Sequence, residues 1–388
     1  MGKRFVLVGV TVLAASLLAA GRASAQATCG GNIGACGTVS SDNTAYGTTS
    51  AEFLLFAPSA RGQALGGSFA ALTTDVSSVY YNPGGLAQME HPGIMASTEN
   101  YVAGTKYTWA AFGVPFSGGS KAFGVSLANF GFSNQPVYTV EDPNGTSGQV
   151  YSVSETAIGL TYSQQFSDRF SAGLTAKYIN DALGGVTGNA FAVDFGTTFH
   201  ALIGGRPIRA SFVVQNLGTT ISHSGLVLDT LIQRAAPPGQ QNVPQEGATV
   251  SLKTKDWPLP TMFRVALAYD LFQTSMGRLS IVGEFNQPNN TGPGFDFGGE
   301  YQVALGTTGF SVAGRASVTY AADNNVATPD SATAGFVGAS GGSQYRMSAG
   351  GGLYYRPGNA PFSIGVDYAW RNMGLLGGVN MLTVGFTW

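Results

Sequence analysis

From residue 93 to the end of the chain, apolar and polar residues alternate with a period of two, the signature of β-strands rather than helices. In the last segment Leu382, Val384, Phe386 and Trp388 fall on one face, and Met381, Thr383, Gly385 and Thr387 on the other. Phe362, Ile364, Val366, Tyr368 and Trp370 alternate in the same way with Ser363, Gly365, Asp367, Ala369 and Arg371. Phe263, Val265, Leu267, Tyr269 and Leu271 oppose Arg264, Ala266, Ala268 and Asp270. The pattern predicts strands over 93–103, 106–115, 121–131, 150–165, 169–180, 189–201, 206–217, 260–272, 277–287, 292–303, 307–320, 344–356, 360–371 and 376–388. That makes about fourteen, most of them near the ~9–11 residues a tilted membrane-crossing strand needs.

The connections carry a second regularity. Every even-numbered one is brief, centred on Gly118-Gly119, Ser167-Asp168, Gly204-Gly205, Met276-Gly277, Gly306 or Gly358-Asn359. The three longest, 132–149, 218–259 and 321–343, are all odd-numbered. Short turns at one end and long loops at the other is the asymmetry of outer-membrane barrels, whose short side is periplasmic. The expected fold is therefore all-β: an antiparallel transmembrane β-barrel of about fourteen strands with a plug segment in its lumen.

Composition sharpens this picture. Charged residues make up 10% of the chain, where a soluble domain usually carries roughly 25%. Glycine reaches 56 of 388 residues, about twice its usual share. Beyond residue 25 no apolar run is long enough for a spanning helix. A chain so poor in charge must hide its apolar surface some other way, and strands with one greasy face do so in lipid. A soluble β-sandwich or propeller would need a more charged exterior than these strands offer.

Residues 1–25 read as a signal peptide. Lys3 and Arg4 precede an apolar stretch from Phe5 to Ala20, and Ala23-Ser24-Ala25 supplies the small-x-small cleavage pattern. Cleavage before Gln26 removes Lys3, Arg4 and Arg22, leaving 16 basic residues against 21 acidic ones and no basic surface for nucleic acid. Residues 26–51 form a glycine-bearing segment holding Cys29 and Cys36, expected to form a local disulfide in an oxidising compartment. No metal or cofactor is expected, since no histidine lies near the cysteines.

Residues 52–92 lack the period of two. Asp75 is placed to cap a short helix through Tyr81, which Pro83 would stop. A segment this apolar fits the lumen of the 93–388 barrel, because about eight strands already nearly fill theirs with side chains and about fourteen leave room. The run FLLFAPSARGQALGGSFAALTTDVSSVYYNPGGLA resembles the N-terminal signature of PorV/PorQ-type outer-membrane proteins, relatives of the FadL long-chain fatty-acid channels. The matching positions are Ala60-Arg61, Leu65-Gly66-Gly67, Asp75 and Tyr81-Asn82-Pro83-Gly84-Gly85-Leu86. Gly84 stands where the family usually has alanine, a change expected to be mild. Residues 159–179 resemble the family's strand-turn-strand signature. The resemblance implies a fourteen-stranded barrel with an N-terminal hatch. It also implies one of two roles: passing hydrophobic compounds, or serving type IX secretion by receiving secreted proteins.

Inward positions on the predicted strands carry both signs of charge: Lys177, Asp194, Arg209, Arg264, Asp270, Glu284, Asp296, Glu300, Arg315, Arg346, Arg356, Asp367 and Arg371. Mixed signs predict pairing with one another or with the hatch, and Arg61 is expected to hold the plug closed through one of the carboxylates. Phe386 and Trp388 resemble the C-terminal aromatic signal read by the barrel-assembly machinery. Other expected partners are outer-membrane lipid and either a hydrophobic ligand or a secreted protein; a structural barrel would have neither of the last two. His91, His200 and His223 are scattered, with no serine or cysteine beside a base and an orienting group, so no enzyme is expected. The long 218–259 connection, with Leu226-Val227-Leu228 and Pro237-Pro238, could serve as a lid or as a docking surface.

Overall fold

The computed structural model describes residues 47–233, 247–321, 344–358 and 361–388. The expected signal peptide and the Cys29–Cys36 pair lie outside the described residues. The first seven strands are β1 (Gly93–Asn100), β2 (Lys106–Phe116), β3 (Lys121–Pro136), β4 (Val150–Ser167), β5 (Phe170–Leu183), β6 (Val186–Ile203) and β7 (Arg206–Gly218). A hairpin of β8 (Asp229–Gln233) and β9 (Gly247–Ser251) follows. The remaining strands are β10 (Met262–Gln273), β11 (Gly277–Pro288), β12 (Gly294–Ala304), β13 (Phe310–Ala321), β14 (Gln344–Tyr355), β15 (Ser363–Asn372) and β16 (Gly378–Thr387). Fourteen of them pair with their chain neighbours into one closed barrel, with β10 beside β7; β8 and β9 pair only with each other. Closure comes from β1 against β16, where Gly93 faces Thr387 and Asn100 faces Asn380.

Closure leaves the barrel no open edge, so each of its fourteen strands finds hydrogen-bond partners on both sides. Period-two alternation then sorts the side chains. Met381 and Thr383 are buried inside, while Leu382 and Val384 between and beyond them are exposed outside. On β10, Ala266 and Ala268 are each 1% exposed and the intervening Leu267 55%. In a bilayer, Leu267→Arg should therefore cost about 2–4 kcal/mol near the midplane. Denaturant titration of the variant folded into lipid vesicles measures this, and an unchanged midpoint would contradict the outward lipid contact.

Four differences from the sequence-based reading have local causes. The 181–188 connection closes to Gly184-Gly185, because β5 and β6 keep pairing through polar residues up to Leu183 and Val186. Strand β3 runs on to Pro136 past a register shift between Phe132 and Gln135. The long 218–259 connection is partly ordered: Leu226–Leu228 form a 3-10 turn, β8 pairs β9, and Ile221 bridges Trp257. Arg356 is not buried in the lumen; β14 ends at Tyr355, Pro357 offers no N–H to continue the ladder, and Arg356 is exposed at the turn.

Residues 51–89 fill the lumen. Phe53, Leu65, Phe69, Val79, Tyr81 and Leu86 are each no more than 1% exposed. Two short helices, α1 (Ala60–Ala64) and α2 (Ser78–Tyr81), and a 3-10 turn over Pro83–Gln88 give the segment its shape. Ser59 caps α1 by accepting from the Gly62 N–H. The helix closes as the Gly67 N–H donates to the Gly62 carbonyl at 2.9 Å, with Gly66 and Gly67 at φ +76° and +94°, where a side chain would be strained. Asp75 accepts from the Ser77 N–H at 2.8 Å just ahead of α2, and the helix ends before Pro83.

Candidate functional site: the hatch and the lumen wall

Arg61 is the centre of the hatch's polar side. Its Nε and Nη2 donate to the two oxygens of Glu300 on β12, each at 2.8 Å, and Nη1 reaches Asp75 at 3.3 Å. A bidentate fork of this kind fixes orientation as well as distance. Glu300 also accepts from Arg315 Nε at 2.6 Å and lies 3.6 Å from Arg278. Arg315 in turn reaches Asp367 at 2.6 Å, and Tyr354 donates to the same Asp367 oxygen at 2.6 Å. Burial works against the charge on Arg61, but Glu300 and then Asp75 hold its guanidinium protonated well above the ordinary arginine range. Arg61 is thus cationic at any working pH.

Four further bonds join the hatch to neighbouring strands. Glu284 on β11 accepts from the Ala70 N–H at 3.2 Å, and Arg264 on β10 pairs with Glu284 at 3.3 Å while donating to the Gly67 carbonyl at 3.4 Å. The Ala60 N–H donates to Thr383 at 2.8 Å, and Gln63 donates to Glu99 at 2.6 Å.

The opposite side is greasy. Phe56 packs against Tyr101, Tyr107 and Phe130 with ring centroids 4.8, 5.7 and 5.1 Å away. Phe53, Leu54, Val79 and Tyr80 face Tyr107 and Trp109 of β2 and Ala157 of β4 around a void of only about 30 Å³. Such a void holds about one water and no organic solute. Tyr81, wholly buried against Phe69 and Tyr80, has its phenol pushed up by burial. The hatch thus has an apolar seam on the β2–β4 side and ion-paired or charged tethers on the β10–β12 side.

Between these two sides Asn82 locks the hatch to β6. Its Nδ2 donates to the Ala70 carbonyl (3.0 Å), the Thr197 carbonyl (3.1 Å) and Thr198 (2.9 Å), and its Oδ1 accepts from the Gly84 N–H at 3.0 Å. The next residues come so close to the wall that side chains do not fit. A Cβ on Gly84 would sit 2.8 Å from the Gly196 carbonyl oxygen, and one on Gly173 would sit 2.5 Å from Pro83. Glycine at position 84 is therefore required in this chain, not the mild departure that the resemblance suggested. Part of the high glycine content has the same origin, since Gly113, Gly124, Gly298 and Gly350 also face hatch atoms on the inner wall.

The remaining expected residues distribute as follows. Arg209 pairs with Asp270 at 2.5 Å, and Ser280 donates to the same carboxylate at 2.7 Å. Lys177 pairs with Asp194 at 2.6 Å. Arg346 is half-buried on β14 opposite Thr319. Pro83 and Leu86 are buried in the hatch turn. Phe386 and Trp388 stack 5.6 Å apart, with Phe362 and Phe112 continuing the outward row at 5.9 and 6.2 Å. His223 reaches Asp181 at 3.0 Å, and Ser50 donates to the same carboxylate oxygen at 2.9 Å. Among the described residues no group of three or more His, Cys, Asp and Glu converges as metal ligands would. The sequence reading missed Tyr354, Gln63 and Asn82 as anchors; Asn82 lay inside the quoted motif, but nothing in its spacing announced four bonds.

Neither a family description nor a curated protein matches the sequence. Solved structures of similar build exist. The CymD monoaromatic hydrocarbon channel has 14% identity and a TM-score of 0.49, with 85% of this chain and 96% of that one covered. A Pseudomonas aeruginosa FadL homologue gives 13% and 0.48, with 85% and 98% covered. The Ralstonia pickettii toluene transporter TbuX gives 12% and 0.46, with 86% and 97% covered. At such identities and scores the likeness adds nothing to what the chain's own strand pairing establishes.

Proposed function

We propose that this chain is an outer-membrane barrel, of the FadL-like and PorV/PorQ-like kind, that admits small hydrophobic compounds when its hatch shifts along the apolar seam. The short turns then face the periplasm and the long loops the exterior. The observation that carries this reading is the two-sidedness of the lumen. Rings and aliphatic side chains meet across β2–β4, where the Ala87 N–H donates to Ser163 at 3.1 Å but no ion pair crosses among the described residues, while the Arg61–Glu300 fork anchors the other side. A greasy solute replaces contacts of its own kind at the seam, so parting it costs little. The hatch stays tethered where it is charged.

A cysteine lock tests the gate. A Cβ on Gly124 of β3 would lie 2.6 Å from a Val79 methyl carbon, so Val79→Cys with Gly124→Cys brings two thiols together across the seam. In a background lacking Cys29 and Cys36, the oxidised protein in vesicles should take up toluene no faster than empty vesicles, and a reductant should restore uptake. Equal uptake in the oxidised and reduced forms would contradict the gate.

One observation favours a second reading, in which the loops receive a secreted protein. Leu226, Val227, Leu231 and Leu252 are all more than half exposed on the loop bearing β8 and β9. Exposed aliphatic side chains on and beside a two-stranded sheet fit a protein surface. Pull-down of a defined exported protein, lost on deleting residues 226–252, would support it.

A further inference from the structure

Outward residues on β1–β4 change character along one row of paired positions. Ala96, Ala110, Leu127 and Ile158 lie side by side and are apolar; two residues further towards the long-loop end lie Thr98, Thr108, Asn129 and Thr156. The next row is Asn100, Lys106, Gly131 and Ser154. Gly131 has no room for a side chain, because a Cβ there would run into the Val153 carbonyl. Its bare backbone, followed by the register shift after Phe132, forms the floor of a laterally open groove of about 640 Å³ between Lys106 and Ser154.

We propose that this groove holds the headgroup of an outer-leaflet phosphorylated glycolipid, whose acyl chains lie on the apolar row beneath. The inference rests on the outer-membrane reading. Three features select that chemistry. Lys106 is exposed and takes part in none of the ion pairs among the described residues, so its ammonium is available to a phosphate. Asn129 spends its Nδ2 on Ser154 (2.9 Å), Thr156 (3.0 Å) and the Glu155 carbonyl (3.3 Å), which fixes the amide and leaves its Oδ1 to accept from a sugar hydroxyl. The groove spans the first and second rows above the last apolar row, a displacement of about 7–14 Å along the strands, where a headgroup rather than a chain sits. A single ammonium beside hydroxyls and an amide suits a phosphorylated sugar better than a bare acyl chain or a protein surface.

The test uses the full mature protein in nanodiscs of phosphatidylethanolamine doped with lipid A, stripped with mild detergent and read by native mass spectrometry. Wild type and Lys106→Arg should each retain one lipid A. Lys106→Glu should retain at least tenfold less, and Lys121→Glu, outward at the opposite end of β3, should match wild type. Heat-modifiable migration on gels reports that each variant is folded. Equal retention by wild type and Lys106→Glu would overturn the proposal, as would retention of phosphatidylglycerol equal to that of lipid A. Displacement by millimolar inorganic phosphate would assign the groove to free anions and overturn the lipid. A chain that enters no bilayer at all sinks the membrane reading as well, which the gel assay reveals separately.

Discussion

Glu300→Ala should leave a barrel that leaks. The substitution removes the carboxylate that Arg61 grips with two 2.8 Å bonds, leaves Arg315 with Asp367 alone among its carboxylates, and takes the 3.6 Å contact from Arg278. Breaking a buried pair by deleting one partner costs roughly 3–5 kcal/mol. If about 3 kcal/mol of that falls on the closed hatch, the open fraction rises about 100-fold. Efflux of sucrose from loaded proteoliposomes measures the change. Arg61→Ala alone should leak less, because Glu300 keeps Arg315, and its effect should shrink further in the Glu300→Ala background. Additive effects of the two substitutions would mean that the fork does not hold the hatch.

Gly196→Val should release the hatch from a different side. A Cβ at this inward position of β6 would overlap Asn82 Oδ1 and come within 2.8 Å of Pro83 Cδ. Overpacking of this sort costs about 1–3 kcal/mol, and each Asn82 hydrogen bond forfeited adds about 1 kcal/mol. Outward residues are untouched, so the barrel should still fold in vesicles. The hatch, however, should become open to chymotrypsin at Phe69 or Tyr81, both buried in the parent. A hatch that stays protected while the barrel folds would show that the Asn82-Pro83-Gly84 seat carries little of its anchorage.

Strand number and facing were legible in the sequence because each strand has one wet or plugged face and one greasy face, and a one-residue slip would exchange them. Val366 and Asp367 announce opposite sides by chemistry alone. The ends were less legible. Asp181, Thr187 and Gly188 have the composition of a loop, yet they pair beyond the last apolar row, where polar residues are as suitable outside as inside. Among their described residues β8 and β9 have no buried side chain, and so gave no alternation to read. In the lumen, mixed charges signalled pairing, and Arg61 was a natural partner for some carboxylate. Choosing Glu300 among Asp270, Glu284, Asp296 and Asp367 required the height of each residue on the inner wall, which depends on barrel shear rather than on spacing along one strand. The necessity of Gly84 was hidden for a similar reason, since the atom it avoids belongs to Gly196, far along the chain.

Detergent dependence probes the lipid-facing wall most directly. The mature chain, diluted from denaturant into detergent-free buffer or into lipid vesicles, is followed by circular dichroism and by heat-modifiable migration. Fourteen strands with Leu267, Phe297, Val366 and Leu382 turned outward should give a compact, protease-resistant species only with the vesicles, and aggregates without them. A folded, soluble monomer in plain buffer would contradict the account at its root.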